Sequence, residues 1–350
     1  MECHNNEQVH HYLHIVALDS HRCIFNIEIY QEKSTGQFNL SDTSMRLDRF
    51  KSVLSIITNI KLFTLMLLAY SSNAFTKTDL ISALNHIADL GYAGVEILCE
   101  RPHWYPDDVD EKQIEIIKNI LSERGIKVSN LNANTANSYF SPTPPENVFE
   151  PSLTNDNADI RRTREAIILK AIKLAHSIGS SCVSITSGQP TPGCLPERAT
   201  THFIESLKRI CECADQFNVK IGIEYEPGLI VERATEVCEV IHRVNSPLLG
   251  VNLDIGHSFL IREEPEQAIE SLSGRIWNVH VEDIKSMKHF HLVPGDGDLP
   301  FARYLNALKQ AKYDGFLTVE LYSFPEQPIE VGKRSIEFLS GLLSELKIHD

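Results

Sequence analysis

From residue 62 onward, short runs of β-branched and other apolar residues alternate with amphipathic stretches of helical length, the pattern of strands leading into helices around a parallel sheet. It predicts strands near 62–69, 93–98, 126–132, 182–186, 219–225, 248–254, 276–281 and 316–321. Helices are expected near 77–90, 110–124, 160–179, 197–217, 231–245, 263–272, 300–312 and 328–345. Eight such units over about 285 residues match the size of a closed (β/α)8 barrel. Glycines at Leu90-Gly91, Arg124-Gly125, Ile178-Gly179 and Asp314-Gly315 fall where helix C-caps want a left-handed residue.

Alternate residues of a barrel strand face the lumen, and the parity of four late strands sorts polar from apolar. Gly222 and Glu224 alternate with Val219, Ile221 and Ile223, and Asn252 and Asp254 with Val251 and Leu253. Asn278 and His280 alternate with Trp277, Val279 and Val281, and Thr318 and Glu320 with Leu317, Val319 and Leu321. Polar groups therefore point inward. An open doubly wound sheet would instead want strands apolar on both faces and a glycine-rich turn after the first strand, and neither is present.

Two stretches stand outside this rhythm. Residues 1–61 have no sustained period and hold five of the fifteen histidines, so they read as an irregular, poorly ordered extension ahead of a barrel over 62–350. Residues 133–159, with Pro142, Pro144, Pro145 and Pro151, are too long for a plain joint, and loops of that length beside a barrel mouth usually cover the site.

Composition narrows the class. Thirty-three Lys and Arg against 47 Asp and Glu give a net charge of -14, which argues against nucleic acid as a partner. The apolar run from Ser52 to Tyr70 is broken by Thr58, Asn59 and Lys61, so no membrane span is expected, and it lies too far in for a secretory signal. Eight scattered cysteines without a Cys-x-x-Cys pair fit reduced thiols and a cytoplasmic protein. A homo-oligomer stays open.

The chemistry sits at four strand ends: Glu224 in IGIEYEP, Asp254 in VNLDIGH, His280 in WNVHVED and Glu320 in LTVELY. Barrel enzymes build their sites at the C-terminal ends of strands. Three inward carboxylates without a cation would repel one another and resist desolvation, so one divalent ion such as Mn²⁺, Mg²⁺, Co²⁺ or Zn²⁺ is the simplest stabiliser. His257, His291, Glu226, Asn132 and Tyr322 fall near the same mouth as candidate substrate contacts. His289 and His291 as a second metal pair have weak spacing for a loop, and Cys211 and Cys213 lie about 200° apart on a helix, so both pairs read as structural.

From about Leu67 to Leu346 the chain resembles the xylose isomerase-like α/β (β/α)8 TIM barrel superfamily of sugar phosphate isomerases and epimerases. The motifs are ADLGYAGVEI, IGIEYEPG, LGVNLDIGH, IWNVHVED, HLVPGDGDLPF and DGFLTVELY. The resemblance implies one divalent metal on Glu224, Asp254, His280 and Glu320, and a substrate contact from His257. It also makes Met66 a natural start of the first strand, so that residues 1–65 would be an upstream extension or an overlong gene model. The expected activity is isomerisation or epimerisation of a sugar, cyclitol or related small polyol through an ene-diolate, with Glu224 and Glu320 as the two bases. Trp104 and Tyr105, with the 133–159 loop, are expected to close over substrate. No Arg or Lys cluster on the active face points to phosphate. The alternatives are a metal-dependent dehydratase or lyase on a similar polyol, a non-catalytic metal-binding barrel, and an endonuclease-IV-like phosphodiesterase, which the asparagines of VSNLNAN disfavour.

Overall fold

The computed structural model describes residues 9–17, 25–33, 66–144 and 147–348. The chain divides into two compact units, Met1–Leu62 and Phe63–Asp350. In the first, β1 (Val9–Ala17) pairs antiparallel with β2 (Phe25–Lys33), Val9 opposite Lys33 and Ala17 opposite Phe25. Ile and Tyr occur in both segments, with Val in the first and Phe in the second, and these types suit a pleated strand. Residues 9–17 and 25–33 of the expected extension are thus an antiparallel strand pair. The rest of it, and residues 62–65 of the expected first barrel strand, lie outside the described residues.

In the second unit the order is β3 (Leu67–Ser71), α1 (Leu80–Asp89), β4 (Gly94–Leu98), α2 (Glu111–Arg124), β5 (Lys127–Asn132), α3 (Ala158–Ile178), β6 (Cys182–Ile185), α4 (Pro196–Phe217), β7 (Lys220–Ile223), α5 (Ala234–Val244), β8 (Leu249–Asp254), α6 (Ile255–Leu260), α7 (Pro265–Ser271), β9 (Ile276–Val281), β10 (Asp283–Lys285), β11 (Lys288–Leu292), α8 (Phe301–Gln310), β12 (Phe316–Val319) and α9 (Pro328–Glu345). Eight parallel strands close in the order β12-β3-β4-β5-β6-β7-β8-β9. This is the (β/α)8 barrel that the sequence pattern predicts. α6 and the β10–β11 hairpin are additions that the pattern did not announce.

Apolar residues of one strand parity meet the inner faces of the helices. Phe203, Leu207, Ile210 and Ala214, spaced three or four apart on α4, are all buried, as are Val183, Ile221 and Ile223 on the strands. Each such large side chain contributes about 1.5–3 kcal/mol on burial. α2 is closed at its start by a capping box between Asp110 and Gln113 and at its end by Gly125, at φ 64°. Gly315 departs from the expected capping role: the left-handed residue after α8 is Lys312, at φ 58°.

The lumen is a hydrogen-bonded polar layer where many barrels have an apolar one. Asn278 Nδ2 donates to Asn252 Oδ1 at 2.8 Å, Thr318 donates to Asn278 Oδ1 at 2.9 Å, and Asn130 Nδ2 donates to Ser184 Oγ at 2.8 Å. All five are buried, and of their side-chain polar atoms Asn130 Oδ1 alone lacks a partner, so the layer costs little and gives the groups above it a fixed floor.

Candidate metal centre and active site

Glu224 and Glu320 follow β7 and β12, Asp254 closes β8 and His280 lies within β9, so four neighbouring strands deliver four side chains to one point. One ligand atom from each lies within 4.8 Å of all the others, and all four residues are buried. His280 Nδ1 stands 2.9 Å from Glu224 Oε2, 3.4 Å from Glu320 Oε2 and 4.0 Å from Asp254 Oδ2.

The donor set fits a divalent cation. Asp254 Oδ1 accepts the N–H groups of Gly256 and His257 at 2.7 and 3.0 Å, while its buried Oδ2 has no hydrogen-bond partner and faces the cluster. Burial, then the Glu224 and Glu320 charges, push the Asp254 carboxyl well above the usual range. Burial also raises Glu224. Burial alone would lower His280, but Glu224, Glu320 and Glu96 outweigh it and hold the ring well above an ordinary histidine. Cations that take three oxygens and one imidazole are hard or borderline.

Glu96 on β4 was not among the residues singled out in the sequence. Its Oε2 lies 2.6 Å from His280 Nε2, which leaves Nδ1 as the nitrogen that faces the cluster. Burial would raise Glu96, yet His280 and the amides of Asn130 and Asn132 keep it below the usual carboxylate value. The signal was a lone Glu between Val95 and Ile97 in a strand that already belonged to the quoted motif.

Side-chain amides orient the two glutamates. Glu224 Oε2 accepts from Asn134 Nδ2 at 2.8 Å and from Asn252 Nδ2. Glu320 Oε1 accepts from Asn73 Nδ2 at 2.9 Å and Asn132 Nδ2 at 3.1 Å. Asn132 therefore reaches the site through a carboxylate. Asn134 is held by the buried Arg164, whose guanidinium donates to the carbonyls of Ala133, Asn134 and Thr135. From the other side Glu100 accepts the N–H groups of Asn137 and Ser138 at 2.6 and 2.7 Å.

A second group forms beside the first. His257, Glu282, His289 and His291 each offer a ligand atom within 4.8 Å of the others. His257 Nδ1 donates to the Tyr225 carbonyl at 3.0 Å and His291 Nδ1 to the Glu320 carbonyl at 3.2 Å; His257 Nε2 meets His289 Nε2 at 3.2 Å, and His291 Nε2 is left for another partner. Both Glu282 oxygens are buried without a hydrogen-bond partner, although His289 Nε2 and His291 Nδ1 each lie 3.1 Å from one of them. Burial lowers the pKa of all three imidazoles, aided at His257 and His291 by the neighbouring rings, so these are neutral histidines fit to ligate or to hydrogen-bond hydroxyls. The weak sequence spacing of His289 and His291 acquires meaning because β11 is a strand, which puts alternate residues on one side.

Both groups open on one pocket of about 290 Å³, near the lower end of small-molecule sites at about 300–1,000 Å³. His257, His291, Glu226, Asn132 and Tyr322 all line it, Glu226 half-buried and Tyr322 exposed. Burial and then the charges of Glu224, Glu320 and Asp254 push Glu226 well up. The 133–157 loop contributes Thr135, Thr143, Asn147 and Phe149 to the lining. Trp104 and Tyr105, expected to close over substrate, are instead buried and do not line this pocket; Trp104 belongs to the hydrophobic core.

Comparison with known proteins agrees with this architecture. Residues 84–342 match the family profile described as "Xylose isomerase-like TIM barrel". The chain belongs to that family. Within it, the fructoselysine 3-epimerase of Shigella flexneri is 24% identical over 275 residues, 75% of this chain and 93% of the relative. An inosose dehydratase of Clostridium perfringens is 22% identical over 276 residues, 73% and 87% of the two chains. Among solved structures, a D-tagatose 3-epimerase-like protein superposes with a TM-score of 0.68 at 23% identity, covering 81% of this chain and 98% of its own. Among the described residues, no helix is long and apolar enough to cross a membrane.

Proposed function

We propose that this member of the family is a divalent-cation-dependent epimerase or isomerase of a small ketose or related polyol, with Glu224 and Glu320 as its paired bases. The observation that carries the reading is that two buried glutamates, three strands apart in the barrel, converge from different directions on the point marked by His280 Nδ1, at the floor of a monosaccharide-sized pocket. The relative named fructoselysine 3-epimerase supports the substrate class.

Glu224, Asp254, His280 and Glu320 would hold the cation, whose chemistry when bound is to polarise a carbonyl and acidify the adjoining C–H. Glu224 takes the carbon-bound proton on one face and Glu320 returns one on the other; in the reverse direction the roles exchange. Asn134 and Asn252 keep Glu224 aimed, Asn73 and Asn132 do the same for Glu320, and burial raises Glu224 above the usual carboxylate range, which strengthens it as a base. His257 and His291 offer neutral imidazoles to substrate hydroxyls. An unphosphorylated substrate fits the lining best, since Arg101 is the one cationic side chain among the described lining residues and Asp108 already engages it through two hydrogen bonds of 2.6 and 2.7 Å.

The test is a solvent-deuterium screen over ketoses and inosose-type ketones with cation-saturated protein. Uptake at one carbon is expected, with Glu224→Gln and Glu320→Gln each reducing it by about 10²-fold or more. Near-normal exchange in either variant at matched metal content would overturn the two-base scheme. A second reading, dehydration of a similar polyol, draws on the inosose dehydratases among the relatives. It shares the first proton abstraction and then expels a hydroxyl, so a dehydrated product decides for it.

A further inference from the structure

Outside the pocket, three side chains from separate segments meet: Asp156 at the end of the long loop before α3, Cys194 in the connection from β6 to α4, and His202 within α4. Each offers a ligand atom within 4.8 Å of the other two, and none of the three lines the pocket. We propose that Asp156, Cys194 and His202 form a binding site for a borderline-soft divalent cation, Zn²⁺ or Co²⁺, that fastens the long loop to α4. The proposal is independent of the function argued above.

The chemistry selects the ion. One sulfur, one imidazole and one carboxylate make a mixed set that Mg²⁺ and Ca²⁺ do not favour and that zinc accepts, with a fourth position left for water. It contrasts with the central cluster, which is three parts oxygen. Two observations mark the ligands as available. His202 Nδ1 is buried with no hydrogen-bond partner, and its Nε2 stands 3.3 Å from Asp156 Oδ1. Cys194 is 8% exposed, and its sulfur has a 3.7 Å contact to the Leu195 carbonyl and also faces the Asp156 carboxylate.

Arg198 is the competitor for Asp156, at 2.8 Å from Oδ1, but both partners of that pair are exposed, at 60% and 38%. Exposed pairs of this kind contribute about 0–1 kcal/mol, so the guanidinium can swing away at little cost. The thiol itself is pushed up by burial and by Asp156, so it is protonated near neutral pH, and ligation releases that proton to solvent.

The position gives the site its consequence. Thr154 Oγ1 already donates to the Gln189 carbonyl at 2.7 Å, and Asp156 N lies 3.4 Å from Thr191 Oγ1, so the two connections touch along this seam. A cation two residues beyond Thr154 would fix the end of the loop that carries Asn147 and Phe149 to the pocket.

The test titrates Co²⁺ into the reduced, full-length chain and follows near-ultraviolet absorption, where cobalt–thiolate charge transfer appears and oxygen- or imidazole-bound cobalt is silent. A thiolate band saturating at one equivalent is expected. It should be absent in Cys194→Ser, require at least about tenfold more Co²⁺ in His202→Ala, and persist in Glu224→Gln. Thermal unfolding of metal-free Cys194→Ser at the wild-type temperature shows that the variant folds. No thiolate band in the wild type, an undiminished band in Cys194→Ser, or an unchanged Co²⁺ requirement in His202→Ala overturns the proposal.

Discussion

Glu96 Oε2 and His280 Nε2 lie 2.6 Å apart in the barrel lumen, so the imidazole that faces three carboxylates with one nitrogen is fixed by a fourth carboxylate on the other. Partners of this kind orient the ring and raise its basicity, and their loss typically weakens metal binding about 10–100-fold. Glu96→Ala should therefore lower Mn²⁺ or Zn²⁺ affinity by that factor while leaving the number of sites unchanged. Isothermal titration calorimetry measures both, and an unchanged affinity would detach Glu96 from the centre.

Cation affinity should rise with pH. Asp254, Glu224 and His280 all have raised pKa values, the carboxyls chiefly by burial and the imidazole by the surrounding carboxylates, so each holds its proton to higher pH than an ordinary group. A cation must displace those protons. Affinity then increases as pH rises through the raised values of these groups, and binding releases protons, which calorimetry in buffers of different ionisation enthalpy detects. In the metal-free protein the sign for stability is opposite: these groups are charged in the unfolded carboxylates, and neutral in the unfolded histidine, at lower pH than in the folded ones. Their contribution is therefore lost as pH rises toward the folded values. A pH-independent affinity would contradict the assigned ligand set.

Arg164 is a single side chain on which three successive carbonyls depend. Burial pulls its pKa down to about 10, which leaves it charged near neutral pH. Arg164→Met would strip that donor from the carbonyls of Ala133 and Thr135, at about 1–3 kcal/mol for each unsatisfied group, while the Asn134 carbonyl keeps the Thr186 hydroxyl at 2.6 Å. A loss of about 3 kcal/mol or more in urea unfolding is expected, together with a weaker hold of Asn134 on Glu224. A loss below about 1 kcal/mol would show that other donors or water replace the guanidinium.

The sequence carried the barrel and the central four residues because period-two alternation is a local signal: Asn252 with Asp254, and Asn278 with His280, declare the inward face without any tertiary knowledge. Glu282 continues the parity of His280 and was legible in principle, but a carboxylate just past a strand end also suits a solvated rim. The β10–β11 turn was not legible. Ser286 and Met287 occupy it at φ 54° and 57°, values that Asn-Gly or Gly-Gly would have advertised. The place of Asn134 depends on Arg164, 30 residues later, and on Thr186, 52 residues later, so no local pattern could give it. Trp104 went the other way: an aromatic after a strand resembles a lid residue, yet its bulk is better placed in the core.

The hairpin bearing His289 and His291 is moored by Asp283, whose carboxylate accepts the N–H groups of Ile284, Gly295, Gly297 and Leu299 at 2.8–3.1 Å. One wall of the pocket therefore arrives ordered before any ligand does, and little freedom is surrendered there on binding. Such a wall lends itself to retuning: exchanging the two side chains it displays would alter which hydroxyl pattern is preferred without rebuilding the backbone that presents them.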